Sequence, residues 1–465
     1  MNSKNLSLAQ FNPVAAAFGL CLLYWTYLAG ASQMIINHDA IGYEWLGSII
    51  NKNGWVEYFK TGPNREPFYP WTISMSMGLA SLFSISYQTV QILFQIFLLL
   101  ITQLLMLVFL KKLGVRRWLC AAVILYLGFS PSIVNSTFIL YSEILSYPFV
   151  LSLLWISVES WRTLQTSKNL KTILLWSFAL GINFVILTMI KASFEIITPL
   201  FLIIFVLMSR NLQKGLAFLV IALLTFYIPV TGYKFLNKKF NDNFILTDRG
   251  AWALYGNTAR RVEPATAKDV ASALAFVPSW RFCIDHMGQD NCYRWSFLYS
   301  DQLGAAKRQE LERQKLPTEE INKTLIDLSK TEILKNPFQY GLFYFFESLK
   351  MFFWEFPTMD YVIYPDGAVN LYKLKIVSIG SRVIMPIVTF FSVLYPLIFL
   401  YKNRKNRQGN DESLKILLLG LFLIFLYILT LSFFQILPRY IFPLAPVYLI
   451  FFAFAVEQIL NELII

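Results

Sequence analysis

Long apolar stretches without charged residues recur through this chain, and they decide what it can fold into. Residues 14–36 form the first of them. A helix of about 20 apolar residues crosses the hydrocarbon core of a membrane, which is about 30 Å thick. Of the 465 residues, 56% are hydrophobic and only 15% are charged, which is too apolar for a soluble chain of this size. The sequence therefore predicts an all-α polytopic membrane protein.

The formal net charge of +12 comes largely from basic residues that lie between the apolar stretches. They form four clusters: Lys111, Lys112, Arg116 and Arg117; Arg162, Lys168 and Lys171; Arg210 and Lys214; and Lys402, Arg404, Lys405 and Arg407. Lys and Arg are concentrated in the cytoplasmic loops of membrane proteins, so these clusters mark the cytoplasmic side. They form no continuous basic stripe, which argues against a nucleic-acid partner.

With these loops inside, we expect about ten spanning helices. They cover residues 14–36, 87–110, 118–139, 141–159, 173–190, 194–208, 215–236, 376–401, 416–436 and 440–458. Residues 67–84 and 337–357 are also apolar and aromatic. Counting only one of these two segments as a span would move basic loops to the wrong side. We therefore predict that both are helices lying in the membrane interface.

This topology divides the chain into three parts. Residues 1–236 form an N-terminal transmembrane module with a first external loop at 37–86, residues 237–375 an extracytoplasmic loop domain, and residues 376–465 the C-terminal transmembrane helices. The loop domain is expected to be mostly helical, because residues 305–332 are charged and favour helix, with a break at Pro317.

The loop domain also contains two cysteines, Cys283 and Cys292. An oxidising compartment would favour a disulfide between them. Two unrelated thiols are the alternative, because sequence does not determine the geometry that a disulfide needs.

Ionisable residues at the outer ends of separate predicted helices are the most informative feature for function. They are Asp39, Arg65, Glu143, Lys191, Glu195 and Arg439, and the topology puts all of them on one side. Charges near a membrane are costly unless paired or solvated, so they indicate a site facing a water-filled cavity. A ring of surface charges is the alternative, and the short carboxylates of Asp39 and Glu143 fit it poorly.

The mixture of signs indicates a group transfer from a phosphate-linked donor. Carboxylates can act as a general base or bind hydroxyls, while Arg and Lys side chains can hold a phosphate. His38 and His286 are the only histidines, so a His-rich metal site or a Ser-His-Asp triad has little support. The sequence contains no Walker motif and no dinucleotide fingerprint, and we predict no cofactor.

Five sequence features occur together in a characteristic order. They are Asp39 after the first span, the segment Arg65-Glu-Pro-Phe-Tyr-Pro, the turn Tyr141-Ser-Glu143, Lys191 at an external turn, and Pro438-Arg-Tyr440 followed by Pro443 and Pro446. In these features and in its whole predicted topology, the chain resembles the membrane glycosyltransferases of the GT-C fold. The resemblance is to the superfamily of dolichyl-phosphate-mannose protein mannosyltransferases and aminoarabinose transferases.

The resemblance implies a donor sugar on a polyprenyl phosphate and an active site on the extracytoplasmic side of the inner or plasma membrane. It implies that Asp39 is the candidate general base and that Glu143 is a second catalytic residue, an acidic side chain that orients the sugar or the acceptor. The implied substrate-binding residues are Arg65, Tyr69, Lys191, Arg439 and Tyr440, with the three cations on the donor phosphate. The expected partners are this donor, a glycan, lipid or protein acceptor, and membrane lipids.

The chain also departs from the family pattern. Members often have two adjacent acids or a Lys-Pro-Pro, where this chain has His38-Asp39 and Arg65-Glu66-Pro67. The identity of the sugar therefore does not carry over. Some related oligosaccharide transferases need a divalent metal, which leaves such a metal open, although no dense acidic cluster demands one.

Two other functions stay open. An O-antigen polymerase or ligase also uses external arginines and lipid-linked sugars, although Asp39 directly after the first span favours the transferase. A transporter or flippase would have broken helices and polar residues at mid-membrane. Here the polar residues lie at one edge, but some residues within the predicted spans leave the transporter open. These are Pro148, Pro199, Pro229 and Arg382.

Overall fold

A computed structural model describes residues 12–167, 169–353, 361–403, 412–434 and 437–464. The N-terminal part contains α1 (Pro13–Ala31), β1 (Gln33–Met34), α2 (Asp39–Lys60), α3 (Phe68–Phe83), α4 (Tyr87–Lys112), α5 (Arg117–Phe129), α6 (Pro131–Phe138), α7 (Glu143–Thr166), α8 (Leu170–Ile190), α9 (Phe194–Met208) and α10 (Leu212–Asn241). Lys168, Arg404, Lys405 and Arg407 of the basic clusters, and 354–357 of a predicted interfacial helix, lie outside the described residues.

The remaining elements follow in chain order. They are α11 (Arg249–Val262), α12 (Ala267–Phe276), α13 (Trp280–Met287), α14 (Gln289–Tyr293), α15 (Phe297–Arg313), α16 (Thr318–Lys335), α17 (Pro337–Leu349), β2 (Val362–Ile363), α18 (Asp366–Lys373), α19 (Lys375–Lys402), α20 (Glu412–Phe433) and α21 (Ala445–Ile464), with 3-10 turns at Lys350–Phe352 and Pro438–Leu444. Strands β1 and β2 pair antiparallel over two residues each. The regular secondary structure of the described residues is otherwise helical, which confirms the predicted class.

Eight of the described helices are long and apolar enough to cross a membrane: α1, α4, α7, α8, α10, α19, α20 and α21. Helices α5 and α6 meet at a bend of 51° and make a ninth span if they are counted as one. The bend falls at Pro131, which lacks an N–H, and the Ser130 side chain caps the new helix instead. The remaining predicted span is α9, whose 15 residues reach only about 22 Å. Among the described residues, eight or nine helices therefore meet this criterion of length and composition, against about ten predicted spans.

The two segments predicted to lie in the interface are helices α3 and α17. Both expose large apolar side chains, among them Trp71 and Leu79 on α3 and Phe338 and Phe345 on α17. This exposure is typical of helices that lie against lipid. Their depth in a membrane stays a prediction.

The two ends of the helix bundle carry different sets of charges. At one end, basic residues that the sequence assigns to the cytoplasm pair with acids on other helices. Lys112 Nζ lies 3.5 Å from Glu159 Oε1, and Arg116 Nη2 lies 2.8 Å from Glu457 Oε1. These pairs join α4 to α7 and α5 to α21. The opposite end carries Asp39 and the other predicted site residues.

Helices α11 and α15 of the loop domain pack unusually closely. A Cβ atom on Gly256 would lie 2.0 Å from the Ser300 carbonyl oxygen, and one on Gly304 would lie 2.4 Å from that of Trp252. No larger residue fits at either position without moving the helices apart. The glycines therefore set the spacing of these two helices.

Two further details of the loop domain match the sequence analysis. Helix α15 ends before Pro317 and α16 begins after it. Cys283 and Cys292 are joined by a disulfide, with their Cα atoms 5.9 Å apart. The bond links α13 to α14.

Buried ion pairs at Glu347 connect α11 to α17. Arg260 Nη2 lies 2.6 Å from Glu347 Oε1, Lys350 Nζ lies 3.0 Å from the same oxygen, and Arg261 binds Oε2. All four side chains are buried. Burial alone would raise the pKa of Glu347, but the charges of Arg260, Lys350 and Arg261 lower it below its ordinary value.

We predict that Glu347→Gln destabilises the protein by about 3–5 kcal/mol, because it leaves three buried cations without their carboxylate. Denaturant unfolding of the purified protein in detergent would measure the change. Glu319→Gln is the matched control, since its pair with Lys238 is exposed on both sides and should contribute less than about 1 kcal/mol. Equal effects of the two substitutions would contradict the role of Glu347.

Candidate functional site

A cavity of about 330 Å³ opens where one end of the helix bundle meets the loop domain. Its charged lining residues are Arg65, Lys191, Arg249 and Arg439, together with Asp39, Glu66, Glu143 and Asp301. Tyrosine, tryptophan and phenylalanine side chains form much of the remaining wall. The cavity therefore combines four cations, four carboxyl groups and aromatic surface.

The structure brings together six of the seven predicted catalytic and binding residues. Asp39, Glu143, Arg65, Lys191, Arg439 and Tyr440 all line the cavity. Tyr69 does not. It is buried behind Tyr43, with the two ring centroids 5.0 Å apart, and its hydroxyl donates to Gln95 Oε1 at 2.7 Å. The first turn of α3 directs Tyr69 toward α4, so this residue packs the wall and does not reach the cavity. Glu195 also lies outside the lining and pairs with Lys234.

Asp39 is held in place by the chain on both sides of it. It begins α2, and the preceding His38 has a φ of 46°, a region that residues other than glycine rarely adopt. Just before it, the Ile35 N–H donates to the Tyr361 carbonyl at 2.8 Å, which extends the pairing of β1 with β2. The position of this carboxylate is therefore set by the backbone.

Both carboxylate oxygens of Asp39 accept hydrogen bonds from arginines. Arg65 Nη2 donates to Oδ1 at 2.5 Å, and Arg439 Nη2 donates to Oδ2. Arg249 Nη1 lies 4.0 Å from Oδ1. Burial alone would raise the pKa of Asp39, but the charges and hydrogen bonds of Arg439 and Arg65 lower it well below its ordinary value. Asp39 is therefore an anion that organises three arginines.

Two of these arginines also lie against tyrosine rings. The Arg65 guanidinium is 4.8 Å from the ring centroid of Tyr43, and that of Arg439 is 4.6 Å from the centroid of Tyr141. Stacking of this kind keeps a guanidinium in one orientation. Within the described part of the chain, the buried Nε of Arg439 has no hydrogen-bond partner.

A second ion pair joins the ends of α7 and α8. Lys191 Nζ donates to Glu143 Oε1 at 2.8 Å, and the Glu143 side chain is 4% exposed. Lys191 follows the last residue of α8, and Glu143 is the first residue of α7. The next backbone amide, that of Ala192, donates to Glu66 Oε1 at 3.0 Å. Three of the four cavity carboxyl groups thus have partners.

Sequence reasoning missed three charged residues of the cavity: Glu66, Arg249 and Asp301. Arg249 is the first residue of α11, and Asp301 lies on α15. Both belong to the loop domain, where charged residues are ordinary and none stands out by its position along the chain. In the sequence, Glu66 is distinguished only as a departure from the family motif.

The carboxyl groups of the cavity do not form a cluster for a cation. Among the residues that the structure describes, no group of three or more His, Cys, Asp or Glu side chains is placed to hold a metal ion. Both oxygens of Asp39 already accept from arginines. Arg65, Arg249 and Arg439 line the cavity with guanidinium groups, which can donate hydrogen bonds to an anion.

No protein-family model matches this chain, and no curated protein matches it. Among solved structures, it is similar to an archaeal oligosaccharyltransferase, AglB from Archaeoglobus fulgidus, in complex with an inhibitory peptide and a dolichol-phosphate. The TM-score is 0.49 and the sequence identity 11%, over 97% of this chain and 50% of that one. The chain thus spans about half the length of that protein. A similarity this distant carries no argument about the site.

We predict that Lys191→Met destabilises the protein by about 3–5 kcal/mol, because it leaves the Glu143 carboxylate buried without a cation. Denaturant unfolding in detergent would measure the loss. Lys60→Met is the control, since Lys60 pairs with Glu57 on an exposed surface. The double variant Glu143→Gln with Lys191→Met should be more stable than Lys191→Met alone. A double variant as unstable as the two losses added would show that the pair is not coupled.

Proposed function

We propose that this protein is an integral-membrane glycosyltransferase. It would move a sugar from a polyprenyl-phosphate-linked donor to an acceptor hydroxyl at the extracytoplasmic face of the membrane. The observation that carries the proposal is the cavity at one end of the helix bundle, in which Arg65, Arg249 and Arg439 surround a single carboxylate. The order of motifs in the sequence supports the same class.

A donor phosphate would bind by competing with Asp39 for its arginines. Arg65 and Arg439 each present a planar guanidinium, which suits two-point binding of a phosphate. Arg249 is half-exposed and 4.0 Å from Asp39, so it is the cation most available to an incoming anion. Lys191 is already engaged with Glu143, which makes it a weaker phosphate ligand than the arginines.

The transfer itself forms one bond and breaks another. The acceptor oxygen attacks the anomeric carbon, and the bond from that carbon to the phosphate oxygen breaks with its electron pair left on the phosphate. The hydroxyl proton passes to a carboxylate of the cavity. The resemblance nominates Asp39 for this proton, which requires that the donor phosphate first replace Asp39 as the partner of Arg65 and Arg439. Glu143 would orient a substrate hydroxyl.

The alternatives differ from this proposal in what they need from the structure. A polymerase or ligase would use the same phosphate contacts and differ in its acceptor. A transporter would need a polar site at mid-membrane, whereas the described cavity lies at the ends of the helices. Pro148, Pro199 and Pro229 lie inside continuous helices, and the side chain of Arg382 is outside the described part of the protein.

We predict that the loop domain and the cavity face the extracytoplasmic side, because the described residues of the basic clusters lie at the opposite end of the bundle. A cysteine at Glu312, which is 49% exposed on α15, should react with an impermeant thiol reagent in intact cells. A cysteine at Lys171, an exposed residue at the other end of the bundle, should react only after permeabilisation. The reverse pattern would invert the topology.

We predict that Arg65→Ala weakens the binding of decaprenyl phosphate about 10- to 100-fold, since it removes a charge-assisted hydrogen bond. Arg65→Lys should weaken binding less, because it keeps the charge and loses only the two-point geometry. Binding to the purified protein would be measured against decaprenol, which has the same chain and no phosphate. Lys238→Ala serves as the control, because Lys238 lies outside the cavity lining and pairs with Glu319 on the surface.

Transfer is then tested directly with purified protein and polyprenyl-phosphate sugars, by following release of free polyprenyl phosphate. If the wild-type protein binds decaprenol as tightly as decaprenyl phosphate, the phosphate site is wrong. If it binds the phosphate but accumulates it inside vesicles without cleaving a donor, the transporter replaces the transferase.

A further inference from the structure

Asp301 differs from the other three carboxyl groups of the cavity. Asp39 binds two arginines, Glu143 binds Lys191, and Glu66 accepts from a backbone amide. Among the described residues, the Asp301 side chain forms no hydrogen bond and no ion pair. It is half-buried in the cavity wall. A half-buried carboxyl group without a partner is costly unless water or a ligand satisfies it.

The position of Asp301 is determined by close helix packing. It lies on α15 next to Ser300, whose carbonyl is the atom that a side chain on Gly256 would strike. The same contact holds α11 and its residue Arg249 beside α15. Because backbone atoms of two helices lie close together here, the backbone of Asp301 has little freedom to move away from the cavity. Its place in the wall is therefore a consequence of the fold and not of a mobile loop.

Three charged residues influence the protonation of Asp301. Arg249 and Arg260 on α11 favour its ionised form, whereas the carboxylate of Asp39 opposes it. Burial is the largest influence, and the pKa of Asp301 is raised to about 6. Asp301 is therefore ionised at neutral pH, yet it binds a proton far more readily than Asp39 does.

The charge balance of the cavity also favours a proton acceptor that is distinct from Asp39. The lining holds four cations and four carboxyl groups. A donor phosphodiester adds one negative charge, and transfer converts it into a phosphate monoester with a second. If the proton released by the acceptor stays on a cavity carboxyl group, the total charge in the cavity does not change. A carboxylate without a bound cation can take that proton at least cost.

We propose that Asp301 is a further catalytic residue of this cavity, which binds the acceptor hydroxyl and takes its proton as the sugar is transferred. The proposal rests on the proposed function. In the step, the acceptor oxygen forms its bond to the anomeric carbon while the O–H bond breaks and its proton moves to the Asp301 carboxylate. The electron pair of the breaking glycosyl bond leaves with the phosphate. Asp39 then stays ionised beside Arg65 and Arg439, which it shares with the donor phosphate.

The first test needs no substrate. Dicyclohexylcarbodiimide modifies protonated carboxyl groups in apolar surroundings, and peptide mass spectrometry locates the product. In the purified wild-type protein we expect half-maximal modification of Asp301 near pH 6, with Asp39 unmodified as the internal reference. Asp301→Asn should lose this product. A midpoint near pH 4, typical of a solvated aspartate, or an unmodified Asp301, would overturn the proposal.

The second test uses transfer rates. Asp301→Asn should lower the maximal rate by about 100- to 10,000-fold without changing the affinity for decaprenyl phosphate. The kcat/KM of the wild-type protein should rise with pH through about 6 as Asp301 loses its proton. Asp301→Glu should restore part of the rate. Asp327→Asn is the matched control, because Asp327 is an exposed acid of the same domain that pairs with Lys330.

The possible outcomes distinguish a failure of the proposed role of Asp301 from a failure of the proposed function. If Asp301→Asn keeps the wild-type rate and pH profile while Asp39→Asn is inactive, the proton acceptor is Asp39 and the present proposal is wrong. If the wild-type protein binds decaprenyl phosphate but transfers no sugar from any polyprenyl-phosphate donor, the proposed function fails and the role of Asp301 as base fails with it. If the wild-type protein transfers sugar but its Asp301 is not modified by the carbodiimide, only the proposed role of Asp301 is overturned.

Discussion

The ion pairs of Asp39 are the interaction on which the arrangement of the cavity depends. Asp39 follows the first spanning helix, Arg65 follows α2, and Arg439 lies just before the last helix. Charges at the boundary of a membrane are costly unless they are paired or remain in water. Because the three groups satisfy one another, they bring the beginning and the end of the chain together at one end of the bundle. The cavity opens at that junction.

The same constraint explains how the cavity contains so many charged residues without destabilising the helices that line it. Glu143 and Lys191 join α7 to α8, just as Asp39 joins the start of α2 to Arg65 and Arg439. Both of these carboxylates therefore have a cation. The loop domain then closes the site, since the close contact of α11 with α15 fixes Arg249 and Asp301 on the remaining side. Charged groups fixed in advance by the fold can stabilise a reacting phosphate without rearranging.

A structural feature of this protein could be predicted from the sequence when it depends on residues that are close together in the chain. Hydrophobic length is local, so the class and the positions of the spanning helices followed from it, apart from the short α9. Asp39, Glu143 and Lys191 were predictable because each carries a charge at the end of its own apolar stretch. The prediction that Tyr69 lies in the site was wrong, since the direction of its side chain depends on how α3 packs on α4. The place of Asp301 in the cavity could not be predicted, because it depends on a contact made by Gly256, 45 residues earlier in the chain.

Asp39 and Asp301 line one cavity, yet their surroundings push their pKa values in opposite directions. Burial acts to raise both, but two bound arginines outweigh it at Asp39, while Asp301 has no bound cation to oppose it. Such a separation lets one site provide a permanent anion and a proton acceptor at the same pH. In the proposed transfer the first role falls to Asp39, which positions Arg65 and Arg439, and the second falls to Asp301. If Asp39 served both purposes, it would have to gain a proton beside two arginines that favour its ionised form.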